Sequence, residues 1–133
     1  FLPIFSYISG NNNKERLVIL VNYIVFELLV IFIKDLLKTD RPCLGQSGCP
    51  NYYDIPSGHS FGGIYFYLLL KNREYDENDN EFLKLSRKIL LPILGLQPIF
   101  RYLSNVHSLE AVVSGAFVGY IAFKSKHYLD RII

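Results

Sequence analysis

Three short clusters hold residue types suited to gripping and transferring a phosphate group. They are Lys34 with Arg41 and Pro42, then Pro56, Ser57, Gly58 and His59, then Arg101 with His107. Lysine and arginine are fixed cations at neutral pH, and the planar fork of arginine matches the oxygens of a phosphate. A proline followed by small polar residues ahead of an apolar run builds a helix N-terminus, whose free backbone N–H groups hold anions. On that reading Ser57, Gly58 and His59 take a phosphate. Taken alone, the tetrapeptide equally suits an ordinary cap at Ser57 with His59 a stray polar residue.

The spacings add to this. Lys34 precedes Arg41 by seven positions, about two helical turns, so both project from one face if the helix persists that far. Arg101 and His107 are six apart, a step that a helix end and a short turn bring together. Such an inventory supplies phosphoryl transfer without a metal: cations neutralise the phosphate oxygens, and the Ser57 hydroxyl and Gly58 N–H add hydrogen bonds where charge develops. One imidazole attacks phosphorus while the other protonates the departing oxygen. The sequence has no HxH, HExxH or paired CxxC spacing to hold a metal, and no cofactor is expected.

The run KxxxxxxRP, PSGH, RxxxxxH resembles the three-part signature of the type 2 phosphatidic acid phosphatase superfamily, over residues 34–107. The resemblance implies that His107 is the nucleophile and forms a phosphohistidine. It makes His59 the general acid for the leaving group, and Lys34, Arg41, Ser57, Gly58 and Arg101 the phosphate ligands. Two positions depart from the family pattern: Phe100 stands where a serine is usual. Ala111 stands where an aspartate normally orients the nucleophilic imidazole. Glu110 is adjacent but rotated about 100° around a helix. Within the superfamily the chain resembles the dolichyl diphosphatases, which cleave the pyrophosphate of a polyisoprenoid carrier, in its Cys43 after Arg41–Pro42, in Glu27 and in residues 106–119.

These side chains must be positioned by an unusually apolar chain. It has 133 residues, half of them hydrophobic, and a net charge of +2, with a mean hydropathy of +0.21. That is one domain at most, with no basic stripe interleaved with aromatics of the kind that binds nucleic acid. Apolar segments fall at 17–33, 61–70, 89–103 and 109–123. The expected fold is all-α: a helical bundle in a membrane with about four spans, the third kinked by Pro92 and Pro98. Residues 71–88 read as a charged loop, residues 124–133 as a polar, basic tail, and residues 1–10 as the end of an earlier apolar element. Phe1 stands in place of an initiator methionine, and the expectation is a fragment or processed chain, with the presence of N-terminal spans before it left open.

Four basic residues, Lys34, Lys38, Arg41 and Arg101, fall on the side of the three motifs; the other ten of the fourteen face the opposite side. Cytoplasmic loops carry the excess of Lys and Arg, so the site is expected on the non-cytoplasmic face, the lumen of the endoplasmic reticulum in a eukaryote. Cys43 and Cys49 on that face are either a disulfide or packed thiols. Asn22 and Glu27 face the bundle or the site. Gly62, Gly63, Ser114, Gly115 and Gly119 read as helix contacts, while Tyr52, Tyr53, Tyr65 and Tyr67 form an interfacial belt or a lipid entry.

The function expected from the resemblance is hydrolysis of a polyisoprenoid diphosphate. Phosphatidate or sphingoid phosphate is the alternative substrate. Rival readings are an anion-binding membrane protein of the same fold that has lost turnover, and a soluble acid phosphatase or vanadium haloperoxidase.

Overall fold

The computed structural model describes residues 2–10, 12–49, 53–72 and 81–132. It is all-helical, with no strand among the described residues. The helices are α1 (Leu2–Ser9), α2 (Asn13–Leu37), α3 (Gly58–Lys71), α4 (Glu81–Gly95), α5 (Gln97–Leu103) and α6 (Leu109–Ile132).

Helix α2 starts where Asn12 accepts the Glu15 N–H at 2.9 Å and ends where Lys38, with a left-handed φ of 49°, donates its N–H to the Lys34 carbonyl. Both ends follow from side-chain chemistry: asparagine caps well, and Pro42 bars helix from the residue before it. Ile19, Asn22 and Val30 turn inward, while Leu17, Val21, Ile24, Val25, Leu28, Phe32 and Leu36 are exposed. A helix apolar all round is either enclosed by protein or bathed in lipid. This one is the single described helix long and apolar enough to cross a membrane. Its 25 residues extend about 37 Å, against a hydrocarbon core of about 30 Å.

The other apolar segments differ from expectation. Residues 61–70 lie in a helix of 14 residues, about 21 Å long. Residues 89–103 are not one kinked span but two helices, α4 and α5, parted at Leu96. Pro92 is accommodated inside α4, whereas Pro98 lacks an N–H and opens α5 at its first turn. Residues 81–88 are not loop: they form the first half of α4, with Leu83 packed on the core and Glu81 and Lys88 outward. Residues 124–132 continue α6 rather than forming a tail. There Lys126 is buried between Asp130 at 2.6 Å and Glu15 at 3.3 Å, tying the end of α6 to the start of α2.

Helix α3 is central, packed along α6 and against α4, α5 and α1. Phe61 and Tyr65 are fully buried, and Tyr23 stacks on Phe61 at 5.0 Å between centroids. Tyr65 is therefore core rather than belt, and Tyr52 lies outside the described residues. Asn22 donates to the Tyr65 hydroxyl and to the Ala122 carbonyl, both at 3.0 Å, and Tyr65 donates to the Ile19 carbonyl at 3.3 Å. These bonds give Asn22 its helix-to-helix role.

Two glycines let α6 touch the backbone of α3. A Cβ at Gly115 would lie 2.3 Å from the Ser57 carbonyl oxygen, and one at Gly119 would lie 2.6 Å from that of Phe61. A Gly115→Val protein is expected to lose roughly 1–3 kcal/mol, read as a lower thermal unfolding midpoint. Its anion affinity falls as well, because the displaced backbone opens the site.

Candidate active site

Four helix ends meet at one end of the bundle: the C-terminus of α2, the N-terminus of α3, the C-terminus of α5 and the N-terminus of α6. They enclose a cavity of about 800 Å³ whose wall includes Lys34, Arg41, Gly58, His59, Arg101 and His107. Six of the seven residues expected to do chemistry thus share one cavity. Ser57 does not line it. Its hydroxyl oxygen accepts the Ser60 N–H at 3.2 Å as the α3 cap, its own N–H donates to the Ala111 carbonyl at 3.0 Å, and it is fully buried. Packing against α6 turns it away from the cavity, so the structure gives the capping role to Ser57.

Arg41 does not reach the cavity by continuing the helix of Lys34. Helix α2 stops at Leu37, and Arg41 enters from the following loop, where the Leu44 N–H bonds its carbonyl at 3.0 Å. The loop is closed by a Cys43–Cys49 disulfide. Arg101 stands in the last turn of α5, and His107 is returned beside it by a turn through Asn105, with φ of 59°. The His107 N–H closes that turn on the Arg101 carbonyl at 3.3 Å. Gly58 and His59 open α3, so their N–H groups precede the first helical carbonyl and point out of the helix end.

His107 is the best-defined group. It is 2% exposed, and its Nδ1 lies 2.8 Å from Asp54 Oδ1 while its Nε2 lies 3.2 Å from an Arg41 nitrogen. A guanidinium only donates and a carboxylate only accepts. The ring therefore carries its proton on Nδ1, and its Nε2 lone pair accepts from Arg41. Burial pushes the His107 pKa down to about 4, with Arg41 and Lys34 acting in the same direction and Asp54 opposing them. The imidazole is neutral at physiological pH, the form that attacks.

The sign of the pH effect follows. In the unfolded chain the imidazole takes up its proton near 6.5, in the folded protein only near 4. Stability attached to this group is therefore present above pH 6.5 and is lost as pH falls from there toward 4. Activity that needs a neutral His107 should hold on the acid side until pH approaches about 4. A pH–rate profile of kcat/KM checks this, and a limb at the ordinary imidazole value would contradict it.

Arg41 is itself buried, and burial and the neighbouring Arg101 both push its pKa down. Partial burial lowers the His59 pKa, and Arg101, Lys34 and Arg41 lower it further, so the ring gains its proton more readily once a bound anion offsets those cations. The Nε of Arg101 is buried without a hydrogen-bond partner among the described residues. Crowded cations with an unfilled donor cost free energy in a low-dielectric site, and an anion relieves that cost. Glu27 and Asp35 also reach the cavity wall.

Away from the cations the cavity wall is mostly apolar, formed by Phe5, Tyr23, Val30, Ile31, Phe66, Leu90, Ile93 and Leu94, with Glu27 between Tyr23 and Val30 on α2. Asp54 escaped sequence reasoning. It lies 53 positions from His107, outside the three motifs, and the one signal was an acid two residues ahead of Pro56. Phe100, at the position where a serine is usual, is 49% exposed and does not line the cavity. No family model, curated protein or solved structure matches the chain.

Proposed function

We propose that this protein is a membrane lipid phosphatase of the type 2 phosphatidic acid phosphatase kind, acting on a polyisoprenoid diphosphate such as dolichyl diphosphate through a phosphohistidine. One observation carries the reading: a single cavity joins a cationic end bearing two imidazoles to a mostly apolar wall. A soluble phosphate ester needs the first part only. The apolar belt on α2 and the exposed Ile89, Ile93, Phe117 and Ile121 on α4 and α6 support a bilayer as the surrounding medium. In that setting a long-tailed substrate enters from the side.

In the proposed mechanism Arg41, Arg101 and Lys34 take the terminal phosphate, with the N–H groups at the start of α3 aimed at its oxygens. The incoming phosphate draws Arg41 off His107 Nε2, so the freed lone pair faces phosphorus. A P–N bond forms as the P–O bond to the leaving group breaks, and His59 gives that oxygen its proton. His59 then accepts a proton from water, whose oxygen attacks phosphorus as the P–N bond breaks. Orthophosphate leaves and His107 returns to its neutral form. The cations meet the negative charge throughout, so no step is routed through a metal.

The disulfide beside Arg41 and the sparse Lys and Arg on this side both favour an oxidising, non-cytoplasmic compartment, the lumen of the endoplasmic reticulum in a eukaryote. The test is phosphate release by detergent-purified protein from polyprenyl diphosphate, phosphatidate and sphingoid phosphate, with and without chelator. Polyprenyl diphosphate is expected to give the highest kcat/KM, unchanged by chelator. A preference for phosphatidate or sphingoid phosphate would move the reading to those lipids. Orthophosphate binding without turnover of any lipid would leave an anion-binding protein.

A further inference from the structure

Position 111, where the resembled pattern carries an aspartate, holds an alanine packed against the start of α3. Ala111 is fully buried, and its carbonyl accepts the Ser57 N–H at 3.0 Å. One turn further, the Ser57 carbonyl lies so close to Gly115 that a Cβ there would be 2.3 Å away. The same packing carries residue 54, three positions before Ser57, against His107.

We propose that Asp54 positions the nucleophile, taking over from a different part of the chain the task that the pattern gives to position 111. The inference rests on the phosphohistidine reading above. Asp54 is 2% exposed and is held from every side. Oδ1 accepts from His107 Nδ1 at 2.8 Å and from the Ser108 N–H at 3.2 Å; Oδ2 accepts from the Ser108 hydroxyl and, at 3.4 Å, from the same N–H. Its own N–H donates to the Thr39 carbonyl at 2.9 Å, and the next residue's N–H to Thr39 Oγ1 at 3.0 Å. The charged groups that act on this pair are Arg41 and Lys34. Asp54 thus fixes the ring tautomer, with the lone pair on Nε2. It also steadies the positive charge that the ring gains as the P–N bond forms.

Asparagine separates this role from a structural one. Oδ1 receives His107 and the Ser108 N–H, and Oδ2 receives the Ser108 hydroxyl, whereas an amide offers one oxygen and one NH₂. The Ser108 hydroxyl already accepts the Ala111 N–H and goes on donating to the amide oxygen, so the Asp54→Asn amide turns its N–H toward Nδ1, which must then become the acceptor. The proton moves to Nε2 and blocks attack. Asp54→Ala leaves the tautomer free instead. The expected order is therefore Asp54→Asn slower than Asp54→Ala, with kcat down on the order of 10³-fold and about 10²-fold. KM and orthophosphate affinity stay within about threefold. A role in packing alone gives the reverse order, since asparagine preserves shape.

The experiment is steady-state kinetics of the full chain and both variants on polyprenyl diphosphate. Nitrogen NMR of ¹⁵N-histidine-labelled protein is recorded alongside, to report which ring nitrogen of His107 bears the proton. Protonated Nδ1 in the parent and protonated Nε2 in Asp54→Asn support the proposal. Asp54→Asn within tenfold of the parent, Asp54→Ala the slower variant, or an unchanged tautomer overturns it. If the tautomer switches but the parent turns over no lipid phosphate, positioning of His107 stands and the phosphatase reading falls.

Discussion

With alanine at His107, phosphate release from polyprenyl diphosphate is expected to fall by roughly 10⁵-fold or more, and no acid-labile phosphoprotein is trapped from labelled substrate. In the proposed mechanism the whole covalent route passes through His107 Nε2, so removing the ring leaves only the cationic cradle. Binding should survive. Arg41 now donates to Nε2 at 3.2 Å, and in the absence of the ring it has one acceptor fewer to give up to an incoming anion. Orthophosphate should therefore bind His107→Ala at least as tightly as the parent protein, which isothermal calorimetry measures. The contrast between lost turnover and kept affinity is what identifies a nucleophile. A variant that still releases phosphate at the parent rate, or a labelled phosphoprotein that persists without the ring, would remove His107 from that role.

Much of this site could be read along the chain because its ligands come in short motifs whose local geometry suffices. Arg101 and His107 belong to one helix end and one turn, and Gly58 and His59 open a helix by the chemistry of the residues around them. Lys34 and Arg41 do share the cavity, although by a different route from the one their spacing suggests. The helix ends before Arg41, because Pro42 excludes helix at the residue before it. What local pattern does not encode is how distant segments pack. Ser57 reads as a phosphate ligand until the close contact with Gly115 shows that its backbone is committed to α6. Ala111 reads as a lost carboxylate until Asp54 is found opposite His107.

The fold divides in the same way. An all-α chain follows from long apolar runs without strand alternation, and the contact role of Gly115 and Gly119 from their four-residue spacing. Residues 81–88 read as loop along the chain because their charge density resembles one. Their apolar Leu83 nonetheless falls at the spacing that continues the buried side of α4. Asn22 and Glu27 illustrate both outcomes on one helix. Asn22 is consumed by Tyr65 and Ala122, whereas Glu27 reaches the cavity, and only the rotation of α2 within the bundle decides between them.

Alanine at His59 is expected to slow the phosphorylation step, read from the pre-steady-state release of the leaving group, in proportion to how badly the leaving oxygen needs a proton. An alkoxide departing from phosphatidate or a sphingoid phosphate needs one outright, so the loss there should approach 10⁴-fold, near the upper end of general acid catalysis. A polyprenyl phosphate leaving from a diphosphate is a far weaker base, with a proton that dissociates around pH 6, and the loss should shrink to about 10²-fold. With p-nitrophenyl phosphate, whose leaving group departs unprotonated, the variant should approach the parent in the phosphorylation step. His59 is also needed to take a proton from water, so the phosphoenzyme should then accumulate, and trapped phosphohistidine should rise as turnover falls. Graded losses across the three leaving groups would tie His59 to the departing oxygen and weigh the lipid classes against each other. A uniform loss of the phosphorylation rate on all three would instead make His59 a phosphate ligand, a ring N–H donor set among Arg101, Lys34 and Arg41.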